Sequence, residues 1–212
     1  MIHLLLLGDV KSQLPPGNKK ISAPSADATA MDHGKLRTLI EEYLNAINTI
    51  TAEFEEQNSD GISDGRFFMK RINGIFALKM ACKSSHGKVV LIKNNRFIQY
   101  DRALKEKTET TVYSSPMAFL LEKTLNLKEI KILSVVEKDN KIIVTFCKAS
   151  GDNEGAIRFI FQREQLLAKR PGAIEQWVIF KNKNNLTSGN VTVTLKNQKY
   201  ASIANEEFEQ CY

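Results

Sequence analysis

From Ile50 onward the chain is a succession of short stretches in which apolar and polar residues alternate with a period of two, the signature of half-buried β-strands. Ile50, Ala52 and Phe54 alternate with Thr51, Glu53 and Glu55. The pattern returns at 66–71, 75–81, 88–93, 96–101, 108–113, 130–137, 141–147, 156–162, 175–181 and 190–196. Between these stretches stand Asp60-Gly61, Asp64-Gly65, Asn73-Gly74, Asn94-Asn95, Asp139-Asn140, Gly151-Asp152 and Asn184-Asn185, dipeptides that favour tight turns. Spacers this short admit hairpins and leave no room for helical crossovers, so the spacing predicts an antiparallel meander. A sheet with one apolar face must close that face around a core or around an apolar ligand.

Two segments depart from the period of two. Leu36, Leu39, Ile40, Tyr43, Leu44 and Ile47 are spaced by three and four and place one apolar stripe on an amphipathic helix, with Glu41 and Glu42 opposite. Further on, Ser115 and Pro116 form a suitable helix start before Met117, Phe119, Leu120, Leu121 and Leu125. That second helix is apolar around much of its circumference. Two roles fit it equally: a plug completing the core, or a lid over a ligand cavity.

Residues 1–32 have no sustained period and contain Pro15, Pro16, Gly17 and Pro24, which reads as a flexible leader before a single domain over 33–212. Ile2–Leu7 is apolar but short and has no basic residue ahead of it. Ala28-Thr29-Ala30 resembles a cleavage site set too far downstream, so a truncated or mis-started export signal is the expectation. The net charge of +6 is dispersed, with Lys105, Lys107, Lys123 and Lys128 interleaved with Glu106, Glu109, Glu122 and Glu129. This is the pattern of a solvated face, and no nucleic-acid partner is expected. Cys82, Cys147 and Cys211 form no metal-binding spacing; Cys82 and Cys147 read as small buried hydrophobes, with one disulfide among the three left open.

Bond-making chemistry has few candidates. The three histidines are His3, His33 and His86, and no nucleophile, phosphate-loop or metalloprotease motif is present. The expectation is a protein without catalytic residues, metal ligands or cofactor. The stretch Arg66–Arg71 mixes bases with aromatics, but its alternation puts Phe67 and Met69 on one face with Arg71. Phe76, Leu78 and Met80 supply the adjoining apolar face, and flexible methionines suit an interior that accepts alkyl chains. Arg71 has two readings: a strand-end residue reaching solvent along its stem, or an inward fork that needs carbonyl or ligand partners.

The order of these segments is similar to that of the LolA family of periplasmic lipoprotein carriers. The resemblance is carried by Tyr43-Leu44-Asn45, by Gly65-Arg66-Phe67-Phe68-Met69-Lys70-Arg71, by Arg96-Phe97-Ile98-Gln99-Tyr100-Asp101, by Ser115–Leu121, and by Trp177-Val178 followed by Val191–Leu195 and Phe208. It covers roughly residues 34–210. Ile72, Asn94-Asn95 and Arg102 stand where the family has Pro, Asp-Gly and Pro, and Gly74 reads as an insertion before Phe76. The resemblance implies a mainly β fold with helices, an incompletely closed antiparallel β-barrel with an α-helical lid. It implies a cavity that takes lipoprotein acyl chains at Phe67, Met69, Phe76, Leu78 and Met80. Arg71 would latch the lid formed by Met117, Phe119, Leu120, Leu121 and Leu125. The implied partners are acylated lipoproteins, an inner-membrane lipoprotein-releasing ABC transporter and an outer-membrane acceptor or the membrane itself, with the chain acting as a periplasmic monomer. A periplasmic lipid-sensing regulator with the same barrel is the alternative, and a lipid-acting enzyme is a more distant one.

Overall fold

The computed structural model describes residues 32–84, 87–112, 130–148, 155–186 and 191–209. Helix α1 (His33–Ala46) opens them, with the Asp32 carboxylate accepting a hydrogen bond from the Gly34 amide at 3.0 Å. The expected stripe is its buried face: Leu36, Ile40, Tyr43, Leu44 and the following Ile47 are buried, and Leu39 packs partly against them. Each such burial is worth about 1.5–3 kcal/mol. Docking of this face, rather than helix propensity, therefore holds a helix of this length.

Eleven strands follow: β1 (Thr49–Asn58), β2 (Gly61–Ile72), β3 (Ile75–Cys82), β4 (Lys88–Lys93), β5 (Arg96–Asp101), β6 (Glu106–Thr111), β7 (Ile130–Lys138), β8 (Lys141–Lys148), β9 (Ala156–Gln162), β10 (Ile174–Phe180) and β11 (Val191–Lys199). They form one sheet in the order β6-β5-β4-β3-β2-β1-β11-β10-β9-β8-β7, with antiparallel neighbours throughout. The edge strands β6 and β7 are consecutive among the described strands. The sheet is thus an open antiparallel one that curves around α1 and stops short of closure, the incompletely closed arrangement that the family resemblance implies.

The tight turns follow from their residues. Asn73 and Gly74, Asn94 and Asn95, and Asp139 and Asn140 all have positive φ, the conformation that matches the twist of paired strands and that Asn, Asp and Gly tolerate. Asn94-Asn95 therefore makes the same kind of turn as Asp-Gly, and Asn73-Gly74 joins β2 to β3 with Ile72 paired to Ile75.

One expectation needs correction, and one element was not foreseen. Asp64-Gly65 is no turn; both lie inside β2, which starts at Gly61. Gly65 faces Phe54 across one ladder and Cys82 across the other. A Cβ there would stand 2.6 Å from Phe54 Cε1 and 2.1 Å from the Ala81 carbonyl oxygen, so this glycine serves close packing rather than a reversal. The five-residue helix α2 (Arg163–Leu167), which buries Leu166 beneath α1, has no counterpart in the sequence reading.

Both faces of the sheet are covered. The concave face and α1 enclose the main core. On the convex face, Ile203 and Phe208, the latter in a 3-10 turn (Asn205–Phe208), cover Phe68, Ala77, Val89 and Leu91. Lys79 Nζ anchors that segment by donating to the Glu207 carbonyl at 2.8 Å and pairing with its carboxylate at 3.0 Å, and Lys70 Nζ donates to the Ile203 carbonyl. Cys82 and Cys147 are both buried, as their sequence context suggests.

Candidate functional site

The register of β1–β4 sorts the concave face into rows. Ile50, Met69, Leu78 and Ile92 form one row, Ala52, Phe67, Met80 and Val90 the next. The third row is Phe54, Gly65 and Cys82, and beyond it Glu56 lies opposite Ser63. Along the strands the face therefore passes from wholly apolar to polar.

At the apolar end is a cavity of about 20 Å³ with no polar atom in its wall. Phe67, Met69, Phe76 and Leu78, all named from the sequence, line it. Met80 is buried on the same face, opposite Phe67, but outside the lining. The opposite wall comes from Phe159, Ile174, Trp177 and Leu195, with Leu44 of α1 and Ile50 completing it. Trp177 touches both halves, its ring 5.5 Å from Phe67 and 6.5 Å from Phe159. These far-side residues were legible as the apolar members of alternating strands; what sequence lacked was the strand order that brings β9–β11 against β2 and β3. The cavity holds about one water-sized sphere.

Arg71 follows the inward reading. It pairs with Phe76, and its guanidinium lies over that ring at 4.1 Å. Nη1 donates to the Gly74 carbonyl at 2.9 Å and Nη2 to the Leu44 carbonyl, in the last turn of α1, at 3.4 Å. Burial draws its pKa downward. A planar fork reaches two carbonyls and one ring at once. The helix end Arg71 holds is that of α1; Met117, Phe119, Leu120, Leu121 and Leu125, expected as the lid, lie outside the described residues. Among the described residues, no cluster of His, Cys, Asp and Glu is placed to hold a metal ion.

The polar end was not foreseen. Glu56 is fully buried; its Oε1 accepts from Asn58 Nδ2 at 2.8 Å, while Oε2 has no hydrogen-bond partner among the described residues. Burial pushes its pKa up to about 7, against the smaller opposing pull of the Asn58 hydrogen bond. Beside it is a second hollow of about 510 Å³, walled by Ser63, Asp64, Cys82, Lys88 and Asp101 and rimmed by Ile62 and Leu104. Lys88 Nζ is 3.6 Å from the Asp101 carboxylate. Arg102 closes the neighbouring turn by donating from Nη1 to the Cys82 carbonyl at 3.0 Å, a role open to Arg and not to the Pro of the family pattern.

An open antiparallel sheet curled around an amphipathic helix, with its apolar interior on the concave side, defines a LolA-like fold. Two solved structures share it at a TM-score of 0.50. MucB superposes with a TM-score of 0.50 at 7% identity, covering 86% of this chain and 64% of that one. A DUF1329 family protein from Desulfovibrio piger superposes equally well, 0.50 at 8% identity over 84% of this chain and 96% of its own. A structure from Vibrio parahaemolyticus described as an outer membrane lipoprotein-sorting protein domain reaches 0.44 at 10% identity, over 82% and 94%. At such identities the likeness is one of fold. No protein-family model and no curated protein sequence matches the chain.

Proposed function

We propose that this protein is a non-catalytic periplasmic carrier that takes up the acyl chains of lipoproteins between α1 and the concave face and moves them from the inner to the outer membrane. The observation that carries the reading is the cavity at the apolar end: a wall without a polar atom, lined by phenylalanines, a tryptophan and a methionine, beneath a helix held at its end by one arginine. Each methylene moved from water into such a place gains about 0.8 kcal/mol. Uptake is thus readily driven, and release is the harder step.

The small size of the cavity bears on release. A face that packs against itself when empty offers a closed state that competes with the loaded one, and cargo is handed on when the two are close in free energy. The inner-membrane partner in this reading is a lipoprotein-releasing ABC transporter, and the recipient is an outer-membrane acceptor or the membrane itself. No helix among the described residues is long and apolar enough to cross a membrane.

The test is native mass spectrometry of freshly purified protein from its native host. The expected spectrum contains the chain with acyl-bearing adducts that delipidation removes. A chain that is always bare, and stays bare when offered solubilised lipoprotein, overturns the proposal.

A further inference from the structure

On the convex face of the sheet, across from the acyl cavity, cationic side chains that are scattered in the sequence come to one place. Phe68 belongs to the convex cluster, and alternation along β2 puts Arg66 on the same side. Pairing sets Phe68 opposite Lys79 and Arg66 opposite Ala81, which in turn lies opposite Val89. With only a methyl at Ala81, the space between Arg66 and Val89 stays open. The result is a hollow of about 310 Å³ walled by Arg66, Lys79, Lys83 and Arg102, with Glu207 of the C-terminal 3-10 turn as the one carboxylate in the wall. Its apolar lining is Phe68, Ala81 and Val89, and a volume of this order is at the lower end of those that hold small ligands.

The lysines of the wall are already matched. Lys79 pairs with the Glu207 carboxylate at 3.0 Å and donates to its carbonyl at 2.8 Å, and Lys83 pairs with Asp64 at 3.1 Å. The arginines carry no ion pair among the described residues. Arg66 is exposed and lies over the Phe68 ring, 5.0 Å from its centroid, a contact that engages the face of the guanidinium and leaves its in-plane N–H fork to donate elsewhere. Arg102 donates from Nη1 to the Cys82 carbonyl at 3.0 Å and the Ser84 carbonyl at 3.3 Å, which leaves Nε and Nη2 without an acceptor among the described residues.

A surplus of donors and of positive charge over an apolar lining suits an anion rich in acceptor atoms, and bonds from Arg to such an anion are among the strong ones. A carboxylate offers one edge, enough for one guanidinium. A phosphomonoester is close to a dianion above pH 7 and presents acceptor oxygens in several directions, so it can accept from Arg66 on β2 and from Arg102 beyond β5 together.

We propose that the convex-face hollow is a binding site for a phosphomonoester, with Arg66 and Arg102 donating to the phosphate oxygens and Lys83 adding charge at the rim. The site lies on the other side of the sheet from the acyl cavity and is independent of the carrier reading. Its chemistry is shared by soluble phosphomonoesters and by the head group of phosphatidic acid.

The full chain is titrated calorimetrically with phenyl phosphate and with benzoate at pH 8 and low salt, and is sedimented with phosphatidylcholine vesicles with and without phosphatidic acid. Arg66→Gln removes one fork of the site. Arg170→Gln removes the same charge from an exposed arginine beyond α2, and both variants should keep the wild-type circular dichroism. Wild type is expected to bind phenyl phosphate about tenfold or more tightly than benzoate, and Arg66→Gln to lose about tenfold, the worth of one charge-assisted hydrogen bond. Arg170→Gln should bind as wild type does. Sedimentation with phosphatidic acid vesicles that Arg66→Gln abolishes assigns the site to a lipid head group; binding of phenyl phosphate without sedimentation assigns it to a soluble phosphomonoester. Failure of both, an affinity for benzoate equal to that for phenyl phosphate, or equal losses in Arg66→Gln and Arg170→Gln overturn the site, and each leaves the acyl-binding reading untouched.

Discussion

The two ends of the concave face each hold an ionisable side chain, Arg71 half-buried and Glu56 fully buried, and they treat it in opposite ways. Arg71 is met by two carbonyls and an aromatic ring, one carbonyl belonging to α1. Glu56 has one amide partner and an oxygen with none among the described residues. A guanidinium stays charged at any physiological pH, so its surroundings must satisfy it, and doing so ties a helix to a hairpin. A carboxyl has a second course open to it: it can take up a proton when its surroundings do not suit an anion. One end is thereby a fixed tie, the other a titratable gap.

What separates the ends is Phe54 over Gly65, and the sharpest way to break the comparison is to fill that glycine. In Gly65→Ala the new methyl meets the Ala81 carbonyl and the Phe54 ring, and the carbonyl, being backbone, yields little. Overpacking of this kind costs typically 1–3 kcal/mol and occasionally more, and the expected loss is about 3 kcal/mol. A urea melt that matches wild type would mean that Phe54 and β3 can move apart freely, and the division of the face would lose its physical basis.

The titratable end gives a prediction with a sign. Glu56 titrates near 7 in the folded chain against an ordinary value of 4.5, so as pH rises the unfolded chain loses this proton first. Between those values the folded state holds one proton more and stability falls with rising pH, levelling above about pH 7. The full penalty is roughly 3 kcal/mol. Glu56→Gln removes it, and urea melts without ligand should show a gain of roughly 2–3 kcal/mol at pH 8 that shrinks toward zero near pH 4. A pH-independent difference would mean that Glu56 is not the group that titrates.

The two ends also differed in how far they could be read from sequence. Phe67, Met69, Phe76 and Leu78 fell together because alternation fixes which residues share a face, and a single hairpin turn at Asn73-Gly74 sets the register between β2 and β3. Trp177, Phe159 and Leu195 belong to strands distant in the chain, and no local pattern says that β11 pairs with β1. Glu56 was hidden for a different reason. Glu55 and Glu56 are adjacent acids, and the alternation read from Ile50 to Phe54 had no cause to continue onto a charge. Gly65 was misread because Asp-Gly carries a strong local turn preference, which lost to the packing of Phe54 and the pairing of two long strands.

The fixed end carries the smallest expected change in stability and the most direct one in function. Arg71→Leu removes two hydrogen bonds to carbonyls and a cation–π contact, but leaves an aliphatic side chain beside Phe76 and α1. Net losses of about 1 kcal/mol per hydrogen bond, offset by apolar packing, make a cost of about 1–2 kcal/mol, and the fold should persist by circular dichroism. Under the proposed carrier function, activity should change more than stability, because the tie lost is the one between the β2–β3 hairpin and the end of α1, the helix that moves in the proposed uptake. Transfer of an acylated lipoprotein between donor and acceptor membranes is expected to fall severalfold, with cargo either failing to enter or failing to leave. Arg71→Lys separates charge from geometry: an ammonium keeps the charge but cannot span both carbonyls and the ring, so it should resemble Leu rather than wild type. Transfer at the wild-type rate in both variants would show that the end of α1 is held by its apolar face alone, and that Arg71 has no part in gating.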